Sequence, residues 1–124
     1  MTLLDTSVII DFLTGDQKIV ASIRELSMKE DIKTTTITEY ELLRHKIKIR
    51  KQAAERFLSA AVVYSFDRVS AKEAALLFEE LQDAGRLINE NDLLIAGIAL
   101  AHDEALLTRD RKLASIGKSN IRII

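Results

Sequence analysis

Cysteine and proline are both absent from this chain of 124 residues. Without cysteine there can be no disulfide, no zinc–thiolate site and no thiol nucleophile. Without proline, glycine and helix-capping side chains have to mark the ends of helices and strands. The chain also lacks a positively charged leader and any apolar run long enough to span a bilayer, so we expect a cytoplasmic protein with no membrane partner.

Charge of either sign is not in excess. The sequence has 18 basic and 19 acidic residues, a net charge of −1 and an isoelectric point of about 6.1. This balance argues against a protein that coats nucleic acid, but it leaves room for a local basic patch. With 48% hydrophobic residues and no linker or repeat, residues 1–124 are predicted to form one domain with one core.

Short apolar or β-branched segments alternate with amphipathic segments along the chain. The pattern predicts strands at 3–4, 33–37, 62–66, 106–108 and 121–124. Between them it predicts helices at 7–13, 18–29, 38–58 (with a break), 70–84, 92–101 and 111–116. Strands that alternate with helices indicate an α/β protein. We therefore expect three α/β/α layers around a central, mostly parallel sheet.

Four acidic residues stand at the ends of these apolar segments: Asp5, Glu41, Asp92 and Asp110. The carboxyl ends of parallel strands share one edge of the sheet, where ligand crevices form, so the four acids are expected to converge. Clustered carboxylates repel one another unless a proton or a hard cation shares the site. The pattern therefore favours a divalent metal and phosphoryl chemistry.

Each of these acids also has a purely structural explanation. Asp5, Asp92 and Asp110 precede predicted helices, where a carboxylate accepts backbone N–H bonds and meets a favourable dipole. Glu41 completes Thr38-x-x-Glu41, which has the form of a capping box. Asp92, however, heads a helix that is apolar on nearly every side, and a buried charge without a partner would be costly.

The residues around the four acids resemble the motifs of PIN-domain ribonucleases. The opening segment reads LLDTSVIIDFL at 3–13, the second TITEYELL at 36–43, the third NDLLIA at 91–96, and the fourth LTRDR at 107–111. Their order, their spacing and the chain length are similar to those of VapC-type toxins from toxin–antitoxin pairs. The resemblance covers essentially the whole chain.

This resemblance implies a metal-dependent endoribonuclease with Asp5, Glu41, Asp92 and Asp110 as catalytic residues and metal ligands. It also implies Mg²⁺ or Mn²⁺ as the cofactor, RNA as the substrate, a cognate antitoxin as a partner, and a homodimer. Glu41 is preferred to Glu39 because the family's glutamate directly precedes a pair of aliphatic residues, here Leu42 and Leu43. Whether one metal or two would bind stays open.

Further residues near the acids are candidates for contacts with metal-bound water or with substrate: Thr6, Ser7, Thr108, Arg109 and Arg111. The dense basic stretch at 44–51 could follow a phosphate backbone, dock an acidic partner, or simply be a solvated helix face. Neighbouring apolar residues, Ile47, Ile49, Phe57 and Leu58, could form a dimer seam, receive an antitoxin segment or belong to the core. The two histidines, His45 and His102, lie in separate segments, so a metal-free acid–base mechanism is disfavoured.

Two other functions remain open on the sequence. A receiver-like phosphoacceptor domain has a similar length, and Asp67 after the third strand and Thr108 after the fourth would suit it. Against it, one acid rather than two follows the first strand, and no lysine follows the last. A non-catalytic binding module of α/β fold would use the four acids as caps alone.

Overall fold

A computed structural model describes residues 1–44 and 48–124 of the chain. These residues form five strands and seven helices. The strands are β1 (Thr2–Leu4), β2 (Lys33–Thr35), β3 (Val62–Tyr64), β4 (Ala105–Thr108) and β5 (Ile121–Ile123). The helices are α1 (Thr6–Leu13), α2 (Gln17–Ser27), α3 (Thr36–Leu43), α4 (Lys48–Ala60), α5 (Arg68–Asp83), α6 (Glu90–Ala101) and α7 (Arg111–Ala114).

The five strands form one parallel sheet in the order β3-β2-β1-β4-β5. The chain builds β1, β2 and β3 towards one edge, and then returns to the other side of β1 to add β4 and β5. The order of the strands therefore reverses between β1 and β4. In open α/β sheets, ligands bind in the crevice at the carboxyl ends of the strands at such a switch point.

The sheet is covered on both faces, because neighbouring side chains of its central strands enter different cores. Leu3 packs with apolar residues of α5, α6 and α7, whereas Leu4 packs with residues of α1, α2, α3 and α4. Both leucines are fully buried. A strand that is buried on both faces has no polar alternation, as β1 shows. The predicted α/β class, parallel sheet and three layers are confirmed.

Three predicted helix starts were each two residues late. Helix α3 begins at Thr36 rather than Thr38, because the Thr35 hydroxyl caps it by accepting the Thr38 N–H at 3.1 Å. The capping box of Thr38 and Glu41 therefore does not form, and β2 ends at Thr35 instead of 37. Helix α5 begins at Arg68, since Asp67 caps it and accepts the Ser70 N–H at 2.9 Å. Helix α6 begins at Glu90 rather than Asp92, since Asn89 caps it and accepts the Asn91 N–H at 2.9 Å.

The expected helix over 38–58 is two helices, α3 and α4, and part of its predicted break (45–47) lies outside the described residues. Of the apolar residues considered for a seam near this break, Leu58 is buried in the core, and Phe57 is half-buried with its ring centroid 5.6 Å from that of Phe12. Ile47 and the side chain of Ile49 lie outside the described part of the chain. In the described part of the chain, no helix is long and apolar enough to cross a membrane.

Candidate active site

Asp5 and Asp110 lie on either side of the switch point of the sheet. Asp5 directly follows β1, and Asp110 follows β4 after one intervening residue. The two strands pair in parallel with Leu4 opposite Leu107, and the Asp5 N–H continues this ladder by donating to the Leu107 carbonyl at 3.1 Å. Asp5 and Asp110 lie close together because β4 is the neighbour of β1 in the sheet.

Hydroxyl groups fix the Asp5 carboxylate. Thr108 donates to its Oδ2, and Ser7 donates to its Oδ1 at 2.7 Å. The Thr108 hydroxyl also accepts the Asp110 N–H at 2.9 Å, so one fully buried side chain connects both acids. Asp5 itself is only 2% exposed, and this burial raises its pKa, which the hydrogen bonds from Thr108 and Ser7 partly offset. Thr108 and Ser7 therefore act as supports of Asp5.

A second set of hydroxyls brings Glu41 to the site. Thr6 donates to Glu41 Oε1 at 2.7 Å and lies 3.0 Å from the buried Thr38 hydroxyl. Because Thr6 directly follows Asp5, this contact ties α3 to the end of β1. The sequence predicted Thr38 only as a helix cap. Its contact with Thr6 was not predicted, because no local pattern links residues 32 positions apart.

Asp92 is the acid whose charge is least compensated. Burial raises its pKa to about 7, and the negative charges of Asp110, Asp5 and Glu41 contribute to the rise. The Asp110 side chain acts in the same direction, because it can accept a hydrogen bond only from the protonated form of Asp92. The other three acids of the sequence motifs are thus close enough to Asp92 to influence its ionisation.

Two of the four acids also cap helices, and two do not. Asp5 Oδ1 accepts the Val8 N–H at 3.1 Å at the start of α1, and Asp110 Oδ1 accepts the Lys112 N–H at 2.8 Å at the start of α7. Helix α6 is capped by Asn89, three residues before Asp92. Capping alone therefore accounts for neither Asp92 nor Glu41.

The donor set suits a hard cation that keeps most of its waters. In the described part of the chain, no group of three or more histidine, cysteine, aspartate or glutamate side chains is arranged to hold a metal by itself. A closed site made only of protein ligands therefore does not fit. Mg²⁺ is usually held by one or two carboxylates with water and substrate phosphates. Carboxylates with an uncompensated charge, as at Asp92, fit that kind of binding.

Little positive charge lies beside the four acids. Within residues 1–44 and 48–124, the basic side chain at ion-pair distance from one of them is Arg44, whose Nη2 lies 3.9 Å from Glu41 Oε2. A cavity of about 430 Å³ opens next to Asp92 and Asp110, and Lys112 and the loop at 87–89 also line it. This cavity provides an approach to the acids from solvent.

The two arginines beside Asp110 have different surroundings. Arg111 is exposed at the start of α7. Arg109, expected next to a substrate strand, instead directs its guanidinium towards Asp11 and Asp16, with nitrogen–oxygen distances of 3.3 and 3.2 Å. Of the basic stretch, Arg44 also stacks over the Tyr40 ring at 5.2 Å, and residues 45–47 lie outside the described part.

Asp67 does not join the site. It follows β3, which is the edge strand of the sheet, and β2 separates β3 from β1. The Asp67 carboxylate is engaged by Ser70 at the start of α5. A receiver-like arrangement of Asp67 with Asp5 is therefore wrong for this fold.

An α/β sheet with a group of carboxylates at its switch point defines the class of this protein, and comparison with known proteins gives the family. Residues 2–119 match the family model of the PIN domain. The chain is 30% identical over 109 residues to Ribonuclease VapC19 of Mycobacterium tuberculosis, covering 87% of each protein. The protein therefore belongs to the PIN domain family.

Solved structures share its fold. VapBC2 from Rickettsia felis, crystallised with a DNA fragment from its promoter, superposes with a TM-score of 0.84 at 24% identity, over 99% of this chain and 96% of that one. A toxin–antitoxin complex from Klebsiella pneumoniae superposes with a TM-score of 0.79 at 21% identity, over 98% and 96% of the two chains. The expected PIN-like architecture is confirmed.

Proposed function

We propose that this protein is a divalent-metal-dependent endoribonuclease and the toxin of a toxin–antitoxin pair, with residues 1–124 as one nuclease domain. The observation that carries the proposal is the meeting of four acids at the switch point of a PIN fold, with the pKa of Asp92 raised to about 7. Strongly perturbed carboxyls in a cleft are typical of functional sites. The chain is 30% identical to Ribonuclease VapC19, and this supports RNA cleavage as the reaction.

Asp5, Asp92 and Asp110 would hold Mg²⁺ or Mn²⁺ together with water and substrate phosphate, some of them through a coordinated water, and Glu41 would complete the shell or orient the attacking water. Such a metal, when bound, supplies charge stabilisation at the reacting phosphate and lowers the pKa of a coordinated water. Thr108 and Ser7 keep the Asp5 carboxylate in one orientation, and Thr6 does the same for Glu41. These hydroxyls hold the carboxylates in place before a metal or substrate binds. Preorganised groups of this kind speed a reaction because they need not reorganise during it.

RNA would approach through the cavity beside Asp92 and Asp110, where Lys112 and the exposed Arg111 offer positive charge. The net charge of −1 makes a local contact of this kind more suitable than a broad basic surface. Replacing Arg111 with Gln should weaken RNA binding and make that binding less dependent on salt concentration.

Because RNA and a co-produced antitoxin are found in the cytoplasm, we propose that the protein acts there.

The antitoxin partner follows from the structural relatives, which include toxin–antitoxin complexes. A cavity of about 350 Å³ lined by Phe12, Ile23 and Phe57 offers an apolar surface that a partner segment could cover.

A homodimer is supported by α5, where the half-exposed side chains Val69 and Leu76 are seven residues apart and therefore lie on the same face of the helix. Light scattering of the purified protein measures the dimer, and co-purification with the product of the adjacent gene measures the antitoxin.

The experiment that tests the activity is cleavage of end-labelled RNAs in the presence of Mg²⁺, Mn²⁺ or EDTA. Asp5→Asn serves as the control for contaminating nuclease, since it keeps the size and the capping oxygen of Asp5. Metal-dependent cutting that disappears in Asp5→Asn supports the proposal. If wild type and variant behave alike, and neither metal raises the melting temperature, the acids are caps and the protein is a binding module.

A further inference from the structure

Arg109 joins the loop that carries Asp110 to the corner between α1 and α2. Its Nε lies 3.3 Å from Asp11 Oδ2, and its Nη1 lies 3.2 Å from Asp16 Oδ2. The guanidinium is planar and presents several donors, so it can contact two carboxylates at once, which a lysine does much less well. Asp11 belongs to α1 and Asp16 caps α2, so one side chain links three segments of the chain.

The backbone of Arg109 is fixed as well as its side chain. Its N–H donates to the Ser7 hydroxyl at 3.0 Å, and that hydroxyl donates to Asp5 at 2.7 Å. On one side of Arg109 the Thr108 hydroxyl bonds Asp5, and on the other the Asp110 N–H bonds Thr108. Both the backbone and the side chain of Arg109 therefore restrain the residue that precedes Asp110.

Nothing in helix α1 itself favours an acid at position 11. Asp11 lies near the carboxyl end of the helix (Thr6–Leu13), where the helix dipole is negative and disfavours a carboxylate. Asp16, in contrast, has a helical reason for its position, because its Oδ1 accepts the Ile19 N–H at 3.1 Å. Its Oδ2 is the atom that meets Arg109. Among the residues that the structure describes, Arg109 is the basic side chain that pairs with Asp11 and compensates its charge.

We propose that Arg109, held by Asp11 and Asp16, is a positioning residue that sets the place of Asp110 in the site. This inference rests on the proposed nuclease activity for its kinetic consequence, but not for its structural one. Because its guanidinium is engaged by Asp11 and Asp16, we assign Arg109 to this link rather than to the substrate phosphate. Loss of Arg109 would loosen Asp110 while leaving the RNA-binding surface intact.

The test uses the full chain with Arg109→Gln, and with Arg122→Gln on the exposed end of β5 as a matched control. We expect kcat of Arg109→Gln to fall by about 10- to 100-fold, as small displacements of catalytic groups do, with KM within about twofold of wild type. In metal-free protein, the amides of Arg109 and Asp110 should exchange hydrogen at least about tenfold faster, while the core amide of Leu106 does not change. Arg122→Gln should change none of these quantities.

Asp11→Asn keeps Arg109 and removes one of its partners. It should lower kcat and speed hydrogen exchange at Asp110, as Arg109→Gln does. Combining the two changes should add little to the loss caused by Arg109→Gln, because both remove the contact between Arg109 and Asp11. Helix α1 is not weakened by this change, since it removes a negative charge from the negative end of the dipole.

Two results would overturn the positioning role. A raised KM with a smaller salt slope and unchanged exchange at Asp110 would make Arg109 a phosphate contact. Unchanged kinetics and unchanged exchange would make its ion pairs an ordinary surface feature. If wild type cleaves no RNA, the nuclease proposal fails, and the hydrogen-exchange measurement still decides whether Arg109 holds Asp110 in place.

Discussion

Asp92 shows how a side chain can be placed for chemistry at a cost to stability. It is half-buried, three other carboxylates face it, and its pKa is raised to about 7. In the unfolded chain the same carboxyl ionises near pH 3.8. Between these two values the folded protein binds the proton more tightly than the unfolded protein does. Ionisation of Asp92 therefore opposes folding, as is common where function and stability compete.

Asp92 should consequently make the metal-free protein less stable as pH rises from about 4 to about 7, and its contribution to the melting temperature should fall over that range. Asp92→Asn should remove this contribution and stabilise the metal-free protein at pH 8 by on the order of 1 kcal/mol, after allowance for partial exposure. It should also abolish metal-dependent cleavage. Thermal melts in EDTA across this range measure the difference, and parallel curves for the two proteins would contradict it.

Thr108 is a second residue whose role is specific and testable. Its fully buried hydroxyl donates to Asp5 and accepts from the Asp110 backbone. Thr108→Val keeps the shape but leaves both groups without this partner, which should cost about 1–3 kcal/mol in the free energy of unfolding and lower kcat. Thr108→Ser, which keeps the hydroxyl, is the control. Equal urea midpoints for the valine and serine variants would show that the hydroxyl contributes nothing.

The sequence predicted that the four acids would lie near one another, because strand ends in an α/β fold share an edge. Their role as metal ligands and catalytic residues stays a prediction. The sequence did not reveal that Arg109 contacts Asp11 and Asp16. Those acids precede Arg109 by more than 90 positions, and no local pattern links residues so far apart. Long-range side-chain pairs of this kind depend on the packing of α1 and α2 beside β4, which only the structure gives.

At the scale of elements, strand and helix types were predictable and several boundaries were not. The β-branched run at 33–37 indicated a strand, but the chain turns into α3 after Thr35, because that hydroxyl caps the helix. Threonine suits both a strand and a helix cap, so the sequence alone does not fix the boundary. The shift moves Thr38 from the predicted cap into the first turn of α3, where its hydroxyl lies 3.0 Å from that of Thr6.

Helices α5 and α6 approach each other closely at Gly97. A Cβ atom on this residue would lie 2.7 Å from Ala74 Cβ and 2.9 Å from the Ser70 carbonyl oxygen. Gly97→Ala should therefore destabilise the protein by about 1–3 kcal/mol through overpacking, although alanine is the better helix former.

Urea unfolding measures this effect, and the double variant Gly97→Ala with Ala74→Gly should recover part of the loss, because it removes the Cβ that clashes. A more stable Gly97→Ala protein would mean that the two helices can separate without cost.

On the scale of the whole molecule, the two ends of the sheet serve different purposes. The carboxyl end holds the four acids, whereas the opposite end holds a buried ion pair between Lys33 and Glu104 at 3.3 Å. Tyr64 donates to Glu104 at 2.9 Å, and Glu30 also pairs with Lys33, so β2, β3 and β4 are connected. Burial lowers the pKa of Lys33, but its two acidic partners outweigh this and raise it.

Lys33→Met should lower the free energy of unfolding by about 3 kcal/mol, because it leaves Glu104 buried without a cation. Lys29→Met is the matched control: it breaks an exposed pair with Glu25, and such pairs contribute only about 0.5 kcal/mol. Chemical denaturation compares the two. Below its unfolding transition, Lys33→Met should keep its cleavage activity, since this ion pair is remote from the site. Equal losses in the two variants would argue against a structural role for the buried pair.

The most direct test of the proposed metal centre is calorimetric titration of Mn²⁺ into wild type and Asp92→Asn in buffers of different ionisation enthalpy. Because metal binding requires the carboxylate, binding at pH 7 should release roughly half a proton or more from a group whose pKa is about 7, and much less at pH 9. Asp92→Asn should bind weakly and release less. Tight binding by the variant with unchanged proton release, or no binding by wild type, would contradict a metal site built on these acids.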